Sequence, residues 1–487
     1  MQKEFKTLPA VIVLLITLTI WFIIPVPKGV TPEAWHLLAL FIGTIAAIIA
    51  KVMPIGSIAV IAITLVAITG VTNPDPKIAI KDALSGFSSP LIWLIGIAII
   101  ISRSLSKTGL GHRIGYYFIS LFGKKTVGVG YSLAVSELVI SPVTPSNTAR
   151  GGGIIHPIMK SIASSFDSPY ENKSENKTAK YLALSSYHIN PITSAMFITA
   201  TAPNPLVVKF IADATNLDIS ITWTQWALAM LLPGLVCIAL VPLVINFFFP
   251  PDVKETPDAP KFAQDKLEEM GNMSRDEKIT ISVFGLLLFL WAGVPSMIFG
   301  DSFSFNATSV AMLGLSILLV TSVLTWEDVL NEKTAWDTIT WFAALVMMAS
   351  FLNKLGLIKW FSTLIETYIS GMGIGWELSV FILVGLYFYA HYFFASTTAH
   401  ITAMFGAFFA AGLALGAPPY FLAFILAAAS SLMMSLTHYA TGTSPIVYGS
   451  GYVTLKEWWK MGFIMSVVNL SIWTLVGGVW WSMLGYW

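Results

Sequence analysis

The stretch "PSNTARGGG", Pro145 to Gly153, places an arginine and three glycines between long apolar segments of a 487-residue chain. That chain is 56% hydrophobic and only 11% charged. Pro145 stops an incoming helix, and the Ser-Asn-Thr that follows consists of residue types that cap helix N-termini. We therefore predict that one helix ends at Pro145 and that a second begins near Ala149, with its free backbone NH groups inside the membrane.

Outward from this stretch, runs of mostly apolar residues, each about 20 long and able to cross a hydrocarbon core, recur along the chain. They lack the short alternating pattern of a membrane β-barrel. The predicted fold is an all-α polytopic membrane protein with about 11 transmembrane helices and two re-entrant hairpins. Spans are predicted near 9–26, 33–50, 57–72, 90–121, 179–212, 224–250, 277–297, 306–325, 336–369, 417–449 and 457–484.

Two further apolar stretches, 127–160 and 376–413, are interrupted in the middle by small and polar residues. Such turns at membrane depth are tolerated where protein or water satisfies the backbone, so we predict re-entrant hairpins. The chain then divides into an N-terminal span (1–30), a first repeat (31–250, hairpin 127–160), a cytoplasmic linker (251–276) and a second repeat (277–487, hairpin 376–413).

The two halves share four short motifs in the same order. "LSKTGL" (105–110) matches "LNKLGL" (352–357), Trp93 matches Trp341, "SNTAR" (146–150) matches "STTAH" (396–400) and "ATAPNP" (200–205) matches "ATGTSP" (440–445). Their offsets are 247, 248, 250 and 240 residues. A nearly constant offset indicates a duplication. Five spans and one hairpin per half force the second copy to be inverted, which is typical of transporters.

The distribution of basic residues predicts the orientation. With the N-terminus in the cytoplasm, the segments near 1–8, 50–57, 121–127, 160–180, 251–278, 326–335 and 449–460 face the same side. They carry 17 Lys and Arg, against four in the outer segments. This satisfies the positive-inside rule, and we predict a multi-pass protein of the plasma membrane.

The hairpin tips and the broken spans supply the candidate binding residues. Two helix starts at mid-depth would face each other and attract anions, and the two span breaks would complete one shared cavity. The predicted substrate-binding residues are Ser146, Asn147, Thr148, Ser396, Thr397, Thr398, Thr201, Pro203, Thr441 and Thr443.

Arg150 and His400 occupy matching positions just inside the two outgoing arms. An arginine inside the membrane costs about 2.5 to 3.5 kcal/mol on insertion scales and normally has a partner or a water-filled cavity. Taken alone, Arg150 is also compatible with snorkelling to an interface, and His400 with a hydrogen-bonded core histidine. Glu137, in the incoming arm of the first hairpin, is expected to pair with a nearby cation and receives no further role.

Other classes of function find little support in the sequence. The seven histidines show no HxxxH or HExxH spacing and there is no GxSxG, which argues against an intramembrane hydrolase. The single Cys237 allows no internal disulfide, and a net charge of +1 does not suggest nucleic acid. A channel would also explain polar breaks, although not a pair of anion sites in inverted halves. No metal and no cofactor is predicted.

With "SNT" on a re-entrant hairpin and a related motif 250 residues later, the chain resembles the divalent anion/sodium symporter family of di- and tricarboxylate transporters. The resemblance covers nearly the whole length. It implies homodimers in which a transport domain moves like an elevator, and Ser-Asn-Thr motifs that hold substrate carboxylates beside sodium. The string "PSNTARGGG" is similar to the antiporter branch, which includes citrate/succinate and 2-oxoglutarate/malate translocators.

This sequence departs from the symporter pattern at the second motif, where Thr397 replaces an asparagine that helps to frame a sodium site in symporters. Arg150 and His400 instead provide positive charge near where sodium would sit. The predicted function is sodium-independent exchange of C4/C5 dicarboxylates such as 2-oxoglutarate, malate and succinate. The alternative is a sodium-coupled dicarboxylate symporter.

Overall fold

The computed structural model describes residues 5–165, 173–215, 218–369 and 375–487. Within these ranges the chain is helical, with one isolated β-bridge between Lys125 and Glu255. The first half contains helices α1 Thr7–Leu18, α2 Pro32–Ile49, α3 Ile55–Thr69, α4 Pro76–Ala83, α5 Pro90–Thr108, α6 Leu110–Phe122, α7 Thr126–Ile140, α8 His156–Ser165, α9 Lys177–Met196, α10 Asn204–Ala214, α11 Trp223–Phe248 and α12 Asp258–Glu269.

The second half contains α13 Arg275–Trp291, α14 Val294–Phe299, α15 Ala307–Val320, α16 Trp326–Asn331, α17 Lys333–Lys354, α18 Leu357–Ile369, α19 Trp376–Tyr389, α20 Thr397–His400, α21 Gly406–Ala414, α22 Pro419–Leu432, α23 Thr443–Tyr448, α24 Leu455–Ile472 and α25 Gly478–Met483. Among the described residues, eight helices are long and apolar enough to cross a membrane, and four shorter apolar helices accompany them. The predicted class, an all-α polytopic membrane protein, is confirmed.

Two predicted spans are wrong as single helices. The span 90–121 is divided at Gly109 into α5 and α6, and the span 336–369 is divided at Gly356 into α17 and α18. Both glycines have a left-handed backbone, with φ of 80° and 83°, and a glycine in this conformation ends a helix without the strain that a Cβ would cause. A lysine in the last turn followed by glycine, at Lys107 and at Lys354, was the sequence signal for both helix ends.

The interrupted segments lie where the small and polar residues predicted them. In the first, α7 ends at Ile140, and the outgoing arm begins as a π-helix over Thr148–Ile155 before α8. In the second, α19 ends at Tyr389, and the arm runs over Thr397–Ala414 with a π-helical part at Ile401–Phe405. Both outgoing arms therefore contain π-helix, a feature often found at functional sites.

The broken spans occupy the interior of the molecule. Every residue of α9 from Thr178 to Met196 is buried, and so is every residue of α22 from Phe421 to Leu432. α9 packs against α7, α11 and α22, which places it between the first hairpin and the second half.

The segment between the two halves folds back onto the first half. α12 packs on α6, and Arg113 of α6 forms an ion pair with Glu277 at 2.6 Å. The predicted loops 1–8 and 160–180 include residues 1–4 and 166–172, which lie outside the described residues.

Candidate functional site

The first hairpin tip is formed by the residues between α7 and the outgoing arm. The Ser146 hydroxyl accepts a hydrogen bond from the Ala149 NH at 3.1 Å, which caps the start of the arm. The Asn147 amide donates to Thr441 Oγ1 at 2.8 Å and to Thr443 Oγ1 at 3.3 Å. The first tip therefore contacts the break between α22 and α23 in the other half of the chain.

The second tip contacts the same break. Ser396 Oγ accepts from the Ala399 NH at 3.3 Å, and Thr397 Oγ1 donates to the Ala440 carbonyl at 3.4 Å. The segment from Ala440 to Thr443 thus connects both predicted tips. Gly442 within it lies so close to Thr148 that an added Cβ would collide with the threonine hydroxyl.

Arg150 lies behind the first tip and is completely buried. Its Nε donates to Glu137 at 2.8 Å, and its Nη2 donates to Ser194 at 2.9 Å. Its Nη1 donates to the Thr144 carbonyl in the hairpin break and to the Ala200 carbonyl in the break between α9 and α10, both at 2.5 Å. The guanidinium thereby joins the two chain breaks of the first half, and its charge is balanced by Glu137.

Asn190 connects this ion pair to the first tip, and the sequence analysis missed it. Its amide donates to Glu137 Oε1 at 2.7 Å and to the Asn147 carbonyl at 3.1 Å. Its side-chain oxygen accepts from Thr443 Oγ1 at 3.4 Å. The available signal was the polar run "SSYHINPITS" (185–194) within an apolar span, which also contains Ser194.

His400 is also completely buried, and its nearest polar partner is a second histidine. The two Nδ1 atoms of His391 and His400 are 3.1 Å apart, and His391 Nε2 is 3.1 Å from the Ala440 carbonyl. His391 was not among the predicted site residues. It lies in the chain break before the second tip, where α19 has already ended.

Not every predicted residue reaches the tips. The first break takes part through the carbonyl of Ala200, whereas Thr201 is buried and its carbonyl accepts from the Asn204 NH. Pro203 occupies the N-cap position of α10. The Thr398 carbonyl accepts a hydrogen bond from the Thr402 hydroxyl. Within the described ranges, no group of three or more His, Cys, Asp or Glu side chains is placed to hold a metal ion.

The tips border two different cavities rather than the one predicted. A cavity of about 450 Å³ touches Thr144, Ser146 and Ala149. Another of about 480 Å³ touches Ser396 and Ala399. Between these cavities, Asn147 and Thr397 both contact the segment Ala440–Thr443.

Four charged side chains form a cluster that lines the first cavity. Asp328 lies 3.2 Å from Arg103 and 2.5 Å from Lys107, while Glu332 lies 3.3 Å from Arg103. Burial alone would raise the pKa of Asp328, but hydrogen bonds from Lys107 and Thr325 outweigh it and hold the pKa well below its usual value. The carboxylate therefore stays ionised and balances the cations at the cavity mouth.

Interrupted helices in a chain of apolar spans are typical of membrane transporters. The family model for the sodium:sulfate symporter transmembrane region matches residues 4–487, and the chain belongs to this family. It is 48% identical to YflS of Bacillus subtilis (strain 168), a protein named for malate transport, over 100% of this chain and 98% of the relative.

Two other relatives carry more specific names. The chloroplastic dicarboxylate transporter 1 of Arabidopsis thaliana is 46% identical over 96% of this chain and 82% of its own length. The citrate/succinate antiporter of Escherichia coli (strain K12) is 34% identical over 97% of both chains. Among solved structures, the Alcanivorax borkumensis YdaH transporter has the same fold, with a TM-score of 0.59, 11% identity and coverage of 88% of this chain and 97% of that one.

Proposed function

We propose that this protein exchanges C4/C5 dicarboxylates such as 2-oxoglutarate, malate and succinate across the plasma membrane, without sodium. The observation that carries the proposal is the convergence of both hairpin tips on the segment Ala440–Thr443. Two helix starts and the Asn147 amide at this point offer donors to the two carboxylates of one substrate. The names of the relatives, a dicarboxylate transporter and a citrate/succinate antiporter, support the same substrate class.

The position of Arg150 supports independence from sodium. Carbonyl oxygens freed at helix breaks can hold a cation in transporters, and two such carbonyls, of Thr144 and Ala200, accept from the Arg150 guanidinium. A guanidinium cannot dissociate and follow an ion gradient. The remaining driving force for transport is then the gradient of a counter-substrate, so the carrier works as an exchanger.

Similar cavities at the C-terminal ends of α5 and α17, which would face opposite sides of the membrane in inverted repeats, support an elevator-type movement between these repeats. Ser106 and Lys107 of α5 border the cavity at the first tip. At an offset of 247, Asn353 and Lys354 of α17 border a cavity of about 520 Å³. That second cavity faces α10 and not the second tip. A movement that brought Ser396 beside α17 would give the second tip the position that the first tip holds now.

In the proposed arrangement, residues 31–250 and 277–487 are inverted repeats that follow the N-terminal span 1–30. The N-terminus is cytoplasmic, in agreement with the excess of Lys and Arg in the inner loops. The protein works as a homodimer in the lipid bilayer, as the resemblance implies.

Reconstituted vesicles test this proposal. We expect labelled malate to enter vesicles loaded with dicarboxylate, to enter empty vesicles at a rate near zero, and to show no response to sodium on either side. Uptake into empty vesicles driven by a sodium gradient would overturn exchange in favour of a sodium-coupled symporter. Currents in single-channel recordings would indicate a channel.

A further inference from the structure

The second half of the binding site repeats the first with different side chains. The offset of 250 that relates Arg150 to His400 also relates Glu137 to Tyr387, and the offset of 240 between the span breaks relates Ala200 to Ala440. The Ala200 carbonyl accepts from Arg150. The equivalent carbonyl of Ala440 lies against His391, which contacts His400. A pair of imidazoles therefore links the outgoing arm to the span break in the second half, as Arg150 alone does in the first half.

The contacts of the pair determine where its protons lie. A carbonyl oxygen can only accept, so the His391 nitrogen that faces Ala440, Nε2, carries a hydrogen. In a neutral pair, His391 Nδ1 then has a lone pair and accepts from His400 Nδ1–H. This leaves His400 Nε2 without a hydrogen, and this buried atom has no hydrogen-bond partner among the described residues.

The two halves also differ in their counter-charges. Arg150 is paired with the Glu137 carboxylate, whereas the residue equivalent to Glu137 is Tyr387, whose ring centroid lies 4.6 Å from that of His400. The Tyr387 hydroxyl is bonded to Ser430, and no ion pair among the described residues involves His391 or His400. The positive charge of Arg150 in the first half is thus already balanced by Glu137. A proton on the histidine pair has no such carboxylate partner among the described residues, so the substrate would supply its counter-charge.

Other titratable groups belong to the helices that pack against the segments of the pair. The helices that pack against the second outgoing arm and against the His391 segment are α2, α10, α18, α19 and α22. Besides Tyr387, the titratable residues in the sequence of these helices are Glu33, His36, Lys209, Asp213, Lys359, Glu366, Tyr368, Glu377, Tyr389 and Tyr420. Lys209 and Asp213 are paired with each other, and His36 stacks on Trp21.

We propose that His391 and His400 act as one proton-binding unit, in which His391 is a positioning residue that fixes the tautomer of His400, and that substrate binding brings one proton onto His400 Nε2. Burial disfavours a charged imidazole in the empty site, and a bound dianion removes that penalty. Two hydrogen-bonded imidazoles titrate as a pair, so the unit takes up about one proton and not two. This inference rests on the proposed dicarboxylate function.

The hydrogen positions can be tested without substrate. In 15N NMR spectra of histidine-labelled protein in nanodiscs, we expect His391 as the Nε2–H tautomer and His400 as the Nδ1–H tautomer. His391→Gln retains a donor for Ala440 and removes the Nδ1 atom that accepts from His400, and its amide oxygen is one bond further from Cβ than that nitrogen, so the His400 signal should lose its Nδ1–H character. An Nε2–H tautomer of His400 in the wild type would overturn the proposal whatever the protein transports.

Proton uptake tests the second part. Calorimetric titration with malate, at a pH where malate is a dianion and in buffers of different ionisation enthalpy, should show uptake of about one proton per malate. His391→Gln and His400→Gln should each abolish this uptake. His112→Gln, which changes a histidine of α6, a helix that packs on α7 and α12, should leave it unchanged.

Uptake of two protons would show independent histidines, and full uptake in His391→Gln would show that His391 plays no part; either result overturns the proposal. Absence of any malate binding by the wild type would instead contradict the proposed function. In that case the tautomer spectra still decide whether the pair exists.

Discussion

The Nε of Arg150 lies 2.8 Å from a Glu137 oxygen, and neither side chain has exposed surface. The sequence predicted that Glu137 would pair with a nearby cation, and that cation is Arg150. The role predicted for Arg150, compensation of the substrate charge, stays a prediction, and Glu137 now has to be included in it. A second carboxylate oxygen, Glu137 Oε2, has no hydrogen-bond partner among the described residues.

Neutralising Glu137 and neutralising Arg150 should change substrate affinity in opposite directions. Glu137→Gln leaves a buried guanidinium that a dianion can balance, so we expect tighter succinate binding and slower exchange. Arg150→Gln leaves a buried carboxylate that repels the dianion, so binding should weaken. Each variant should also lower thermal stability, because removing one partner of a buried pair costs about 3 to 5 kcal/mol.

Calorimetry with succinate, exchange rates and thermal unfolding measure these effects. Lys180→Gln is the matched control, because it removes the cation of a pair between α9 and α24, Lys180 with Glu457. It should affect stability with little change in affinity. Affinity changes of the same sign in Glu137→Gln and Arg150→Gln would contradict the electrostatic role of the pair.

Replacing Asn147 with Ala should weaken dicarboxylate binding by about 1.5 to 3 kcal/mol, the range for a hydrogen bond to a charged group. Thr397→Ala should have a smaller effect, because a hydroxyl offers one donor where an amide offers two. Asn306→Ala, which removes only the cap of α15, is the control for folding. Unchanged affinity of a folded Asn147→Ala variant in a binding titration would remove this residue from the site.

Two glycines of the first outgoing arm should respond differently to the same substitution. A Cβ on Gly151 would lie 2.9 Å from Asn190 Nδ2 and 2.9 Å from Thr443 Cγ2, whereas a Cβ on Gly153 would meet nothing within 4 Å. Gly151→Ala should therefore displace the groups that surround Asn147 and reduce exchange at least tenfold, which is about 1.4 kcal/mol.

Gly153→Ala should retain exchange near the wild-type rate, because its Cβ meets no neighbouring atom. It is the matched control, since both variants add one methyl group to the same π-helical segment. Equal loss of exchange in the two variants would indicate a general effect on the arm and not the packing around Asn190.

Neutralising Asp328 should favour the approach of substrate anions. In Asp328→Asn the cations Arg103 and Lys107 lose a partner at the mouth of the first cavity, and unbalanced positive charge attracts dianions. We expect a lower KM for malate at low ionic strength. The difference from the wild type should shrink as salt is added, because the Debye length falls from about 30 Å at 0.01 M to about 8 Å at 0.15 M. A difference in KM that is independent of salt would point to a local structural change instead.

The sequence by itself determined the membrane class and the positions of the interrupted segments. Apolar runs can be recognised without coordinates, because their length must match the bilayer. The capping residues after Pro145 and the motif match at 396–400 located both outgoing arms, because helix starts require local side-chain acceptors. Each of these signals either lies within a few neighbouring residues of the sequence or repeats a pattern already found elsewhere in it.

The tertiary structure alone decided which side chains meet. Glu137, Asn190 and Arg150 come from three different helical segments, and Ala440 and Ala200 take part through carbonyls, which carry no sequence signal. The helix ends at Gly109 and Gly356 were missed because the mean hydropathy of a whole span does not register a single glycine in a left-handed backbone. Pairing between segments depends on how α7, α9 and the breaks pack together. That packing makes Arg150 one half of a buried ion pair with Glu137.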